Sequence, residues 1–110
     1  MSYQPVTPTQ EQLSELEQKH GDLLVLSGGK RSPYTLVFRR PNRQETIGYK
    51  LHVKKDSTTA SEALLKRIAV FPPKAELEQL LETYGFAADF CINHESFQDF
   101  VGLASEADLK

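Results

Sequence analysis

The amino-acid sequence predicts an α+β fold in which an N-terminal β-hairpin precedes a small, mainly helical bundle. Three observations point there. Two short runs of apolar, branched and aromatic residues, 22–26 and 34–38, flank turn chemistry at Ser27-Gly28-Gly29-Lys30, the pattern of a hairpin. Leu77, Leu80, Leu81 and Tyr84 recur at i, i+3, i+4 and i+7, the period of an amphipathic helix. Phe86, Phe90, Phe97, Val101 and Ala104 share one helical stripe, as a single helix or as two divided near Asn93. With 110 residues to spend, the chain closes one hydrophobic core before a second can begin, so one domain over residues 9–104 is expected.

Taken in order, residues 1–8 carry two prolines and little apolar weight and read as a flexible arm. Thr9 and Gln12 have capping-box spacing ahead of Leu13 and Leu16, which predicts a short helix docked on a surface by two leucines and stopped at His20-Gly21. The hairpin follows at about 22–39, with Pro33 at the mouth of its second strand, where a missing N–H costs least. Residues 46–53 support two readings. Ile47, Tyr49, Leu51 and Val53 alternate with Thr46, Gly48, Lys50 and His52, the period of a half-buried strand. Against that, Pro41 suits a first helical turn, Asn42 and Glu45 have capping-box spacing, and Ile47/Leu51 and Tyr49/Val53 are i,i+4 pairs. Pattern alone favours a third strand slightly.

Thr59 and Glu62 cap a predicted helix at about 58–69 carrying Leu64, Leu65 and Ile68, which must end before Phe71-Pro72-Pro73. The prolines open the next helix at about 73–84, with Gly85 as its left-handed stop. The last helical stretch covers about 86–104, and residues 105–110 form a frayed tail.

Charge is distributed unevenly. Between residues 30 and 55 eight basic side chains face Glu45 alone, whereas between 76 and 110 eight acids face Lys110 alone. This polarity would let identical subunits stack head to tail. Within the basic stretch, Arg39, Arg40 and Arg43 sit just past a strand end, where guanidinium groups can fork onto carboxylate or phosphate. An ordinary solvated end, a contact for an acidic protein surface and a nucleic-acid site are the three readings. The last is disfavoured by a pI of about 5.9.

Catalytic patterns are weak throughout. Residues 23–32 share glycines and a lysine with phosphate-binding loops, but the spacing is incomplete and a strand follows where such a loop would open a helix. His20, His52 and His94 fall in three different elements without a second ligand at metal spacing. Cys91, the single cysteine, reads as a buried structural thiol. The acidic residues lie opposite the apolar stripes, as on a solvated face. No enzyme activity, cofactor or metal is expected. One cysteine, no secretion signal and no apolar run of membrane-spanning length point to a reducing cytoplasm without a membrane role.

Leu36-Val37-Phe38-Arg39-Arg40-Pro41-Asn42-Arg43 is similar to the strand and Arg-Arg-Pro-x-Arg junction of tail assembly chaperones from long-tailed phages and prophages. Ala63-Leu64-Leu65-Lys66-Arg67-Ile68-Ala69-Val70-Phe71-Pro72 resembles that family's helix ending in an aromatic-proline step, and Leu77-x-x-Leu80-Leu81-x-x-Tyr84 its next helix. The resemblance spans roughly 34–104 and moves the reading of 42–53 to helix. It implies a non-enzymatic protein made in the cytoplasm of the bacterial host and absent from the mature virion. Its implied partners are the tape measure protein and the tail tube protein, with self-association in a homo-oligomer. On that reading an apolar groove between C-terminal helices, through Leu77, Leu81, Phe90 and Phe97, would hold the tape helix while Arg39, Arg40 and Arg43 contact an acidic surface. A nucleic-acid-binding regulator using residues 30–55 and a structural tail adaptor are the alternatives.

Overall fold

In the computed structural model, residues 7–28 and 33–102 are described; the expected arm up to residue 6, the Gly29 to Ser32 part of the hairpin turn and the tail from residue 103 lie outside them. Helix α1 (Gln10–His20) is opened by a reciprocal capping box in which the Gln12 N–H donates to Thr9 Oγ1 at 3.1 Å and the Thr9 N–H to Gln12 Oε1 at 2.9 Å. It ends at Gly21, whose φ of +83° only glycine adopts without strain. None of its side chains is fully buried, so it lies on the surface, beside β1, as two leucines allow.

Strands β1 (Leu23–Ser27) and β2 (Thr35–Arg39) pair antiparallel, from Leu23 opposite Arg39 to Ser27 opposite Thr35, giving the expected hairpin. β2 is central: Thr35, Leu36, Val37 and Phe38 are all buried. Its other edge is closed by a strand that the sequence pattern did not indicate, β3 (Ala69–Phe71), antiparallel to it with a register shift at Val37/Phe38. The expected helix through residue 69 therefore stops at Ile68. The residue before a proline is driven towards extended geometry, so Phe71 is already shaped for a strand, and β2 offers it unpaired backbone. The Phe71–Pro72 bond is cis.

The alternating stretch is helix α2 (Arg43–Val53), as the resemblance implied and the pattern alone did not. Its capping box decides the matter locally: the Glu45 N–H donates to Asn42 Oδ1 at 2.8 Å and the Asn42 N–H to Glu45 Oε1 at 2.9 Å. No residue of α2 is fully buried. Helix α3 (Ser57–Ile68) packs beside it, and its cap is Asp56 rather than Thr59; Thr59 instead donates both its N–H and its hydroxyl to the Asp56 carboxylate.

Helix α4 (Lys74–Thr83) starts directly after Pro73 and buries Leu77 and Leu80. The expected left-handed stop at Gly85 is not used. Tyr84 ends α4 at φ −112°, and among the described residues only Gly21 and Gly102 have positive φ. The final stretch is two helices, α5 (Ala87–Asn93) and α6 (Glu95–Val101), divided one residue beyond Asn93. His94 is extended, and its Nδ1 accepts from the Ser96 N–H at 3.1 Å. Gly102, at φ +91°, caps α6 after Val101; the expected extension to residue 104 lies outside the described residues.

The sheet and the helices share one apolar cluster. Leu36 and Phe38 of β2 meet Leu65 and Ile68 of α3, Leu77 and Leu80 of α4, Cys91 of α5 and Phe97 of α6. At its centre the rings of Phe38 and Phe97 sit edge to face, 5.2 Å apart. Because this contact joins a strand to the last helix, Phe97→Ala should lower unfolding free energy by about 3–5 kcal/mol in urea melts. A loss under about 1 kcal/mol, the level of ordinary surface substitutions, would contradict the packing.

Candidate functional site

The three arginines singled out by sequence occupy three different environments. Arg39 is turned inward at the end of β2: Nη1 donates to Glu45 Oε1 at 2.8 Å, Nη2 to Glu45 Oε2 at 2.6 Å, and Nη2 also to the Arg67 carbonyl at 3.1 Å. The Arg39 side chain is 22% exposed and that of Glu45 only 8%. The forked bond from Arg39 holds the Glu45 carboxyl below its ordinary range, aided by the N–H of the capping box, against the opposing effect of burial. Arg39 is therefore a structural clamp between β2, α2 and α3 rather than an open anion contact.

Arg40 is exposed but tethered. It donates to the Phe100 carbonyl at 3.0 Å, stands 3.5 Å from Asp22, and places its guanidinium 4.7 Å from the centre of the Phe100 ring. Arg43, the first residue of α2, is exposed. The patch shrinks from three free cations to Arg43 and a partly engaged Arg40, which weakens the case for phosphate-backbone binding through it.

The expected apolar groove between C-terminal helices is closed at two of its four positions. Leu77 and Phe97 are 2% and 1% exposed and belong to the core, and Leu81 is half-buried against it. Phe90 alone stays open, at 41%. It is joined by a residue that sequence reasoning placed on the core stripe, Phe86, which is 83% exposed. Phe86 sits just ahead of α5, where the break after Thr83 turns it away from the stripe its spacing suggested.

Phe86 and Phe90 form the outer part of an aromatic face. Behind them Tyr34 stacks on Tyr84 at 5.2 Å and meets the edge of Phe90 at 6.4 Å, while His94 lies 5.5 Å from Phe90. A shallow hollow of about 310 Å³ opens between Tyr34, Tyr84, Phe86 and Phe90. Asp89 lies on the same exposed side of α5. This is aromatic area that can cover an apolar helix, with an acidic residue at its edge.

A second surface lies on the α2–α3 pair. Between them runs a groove of about 460 Å³ lined by Gly48, Tyr49, His52, Lys55, Ala60 and Ala63 among others. On the outside of α2, Ile47 and Leu51 are 44% and 69% exposed.

His20, His52 and His94 stay apart, in α1, α2 and at the α5–α6 junction, and among the described residues no cluster of three or more His, Cys, Asp or Glu is placed to hold a metal ion. Cys91 is completely buried, and burial pushes its thiol up to about 12. No helix of the described residues is long and apolar enough to cross a membrane. In comparisons with known proteins, the chain matches no family model, no curated protein and no solved structure.

The Glu45 carboxyl gives a pH signature. Because its folded pKa is depressed, its contribution to stability is complete above the unfolded carboxylate value and is lost as pH falls through the folded one. Glu45→Gln should therefore reduce stability at neutral pH and flatten the acid limb of a stability-versus-pH curve. An acid limb as steep as that of the wild type would contradict a clamp held by this charge.

Proposed function

We propose that this chain is a tail assembly chaperone: a non-enzymatic protein of the phage-infected or lysogenic bacterial cytoplasm that holds apolar helical segments of the tape measure protein, and contacts tail tube subunits, before the tail is complete and then leaves. Two things support the reading. One is the ordered resemblance from Leu36 through Arg43 to Phe71-Pro72 and Tyr84. The other, which carries the mechanism, is the exposed aromatic pair Phe86 and Phe90 backed by Tyr34 and Tyr84.

A tape measure protein presents long apolar stripes until the tube encloses it, and unprotected stripes aggregate. Aromatic side chains suit transient cover because they supply large contact area with few rotatable bonds. The contact should be reversible, since one small aromatic face buries less than a permanent interface does. Arg43 and Arg40 can add contacts to an acidic partner surface at the opposite charge pole of the chain.

Co-expression with a long coiled-coil-rich tape measure protein and a tail tube protein tests the proposal. The chain should keep the coiled-coil protein in the soluble fraction, and a chain carrying both Phe86→Ser and Phe90→Ser should return most of it to the pellet while remaining folded by circular dichroism. Equal solubility with and without the chain would overturn the reading.

A further inference from the structure

The charge polarity and the two exposed apolar pairs belong together. Arg43, Ile47, Lys50 and Leu51 of α2 and Lys54, the αR residue that caps it, fall within one side of the helix at 3.6 residues per turn, and all five are exposed. The acid of this stretch, Glu45, is turned inward onto Arg39, so the outward charges of α2 are all positive. On the aromatic face, Phe86 and Phe90 flank Asp89. Every Lys, Arg, Asp or Glu between residues 75 and 102 is an acid, and all six, Glu76, Glu78, Glu82, Asp89, Glu95 and Asp99, are exposed.

Both pairs, Ile47/Leu51 and Phe86/Phe90, are four residues apart: Ile47 and Leu51 stand about one turn apart on α2, and Phe86, the residue that caps α5, is tied to Phe90 by the Phe90 N–H, which donates to the Phe86 carbonyl at 2.8 Å. One chain thus displays an aliphatic pair accompanied by cations and an aromatic pair accompanied by the carboxylate of Asp89. We propose that the Phe86/Phe90 face of one copy receives the outer side of α2 of a second copy, so that the chain associates head to tail.

The contact is heterologous: one copy contributes its aromatic face and the other its α2, so the first copy's α2 and the second copy's aromatic face remain available to further copies. Ile47 and Leu51 cover the phenyl rings while Arg43 and Lys54 face the acidic surroundings of Asp89, which excludes an equivalent α2-to-α2 or α5-to-α5 pairing by like-charge repulsion. This adds to the chaperone reading, and rests on it in one respect: α2 presents the kind of stripe, apolar at i,i+4 and edged with basic residues, that a client helix would need. Self-association and client capture then compete for one face, and copies keep their aromatic rings covered until a client displaces the neighbouring α2.

The test is sedimentation velocity of the full chain over a concentration series at low and high salt, with Leu51→Glu and Phe86→Glu as variants. Both positions are mostly exposed, so the fold does not depend on them. The wild type should show a sedimentation coefficient that rises with concentration, less so at high salt, and each variant alone should associate roughly tenfold more weakly or worse. Mixing the two variants should restore a heterodimer, because the Leu51→Glu chain keeps an intact aromatic face and the Phe86→Glu chain an intact α2. A monomeric wild type at all concentrations, variants that associate like the wild type, or a mixture that stays monomeric would each overturn the proposal. Co-expression of the client with the Leu51→Glu chain separates the two ideas. Capture there with a monomeric wild type leaves the face to the client alone, whereas restored heterodimers without capture by any chain overturn the chaperone reading and leave the self-association standing.

Discussion

The forked ion pair between Arg39 and Glu45 is the constraint on which the placement of α2, and with it the surface α2 presents, depends. It joins the last residue of the central strand to the first turn of α2, and through the Arg67 carbonyl to the last turn of α3. Without it α2 would be held by its packing beside α3 and by Tyr49 against the core alone, since none of its side chains is fully buried and its apolar residues partly face outward. Hydrogen bonds to charged groups contribute about 1.5–3 kcal/mol each at best, and desolvating both ions offsets much of that. What the pair supplies is chiefly geometry: Glu45 serves at once as capping residue and as counter-ion, so the helix start and the strand end are fixed by the same carboxylate.

Turning Glu45 inward also shapes the surface. With Glu45 turned inward, the charged side chains that α2 exposes are basic, while the acids of α4, α5 and α6 remain in solvent. The basic side chains of α2 lie beside exposed Ile47 and Leu51, and Asp89 of α5 lies beside exposed Phe86 and Phe90. One inward carboxylate thus helps to decide both how α2 is held and what it can attract.

Features specified by neighbouring residues were legible in the sequence. The capping boxes at Thr9/Gln12 and Asn42/Glu45 form as their spacing requires, the hairpin pairs where its apolar runs lie, and Leu77 and Leu80 point into the core. Features specified from a distance were not. β3 has three residues, too few to show alternation, and exists because β2 has an edge to fill. The alternation in residues 46–53 looked like a strand because apolar residues at every second position also fall around a helix that is nowhere fully buried. Arg39 looked like its two neighbours until the fold brought Glu45 to it. Phe86 matched the stripe of Phe90 and Phe97, but breaks at Tyr84 and His94 place Phe97 in the core and leave Phe86 in solvent. Local pattern could not report how short helices would be re-aimed.

The account stands most directly on the claim that Arg39 holds α2 in place while the core is maintained separately by β2 and the C-terminal helices. Amide hydrogen exchange of an Arg39→Met chain addresses it residue by residue. The account predicts that amides of α2 lose protection while those of Leu36, Val37, Phe38 and Leu80 keep most of theirs. Protection that is unchanged in α2, or lost equally across α2, β2 and α4, would contradict it.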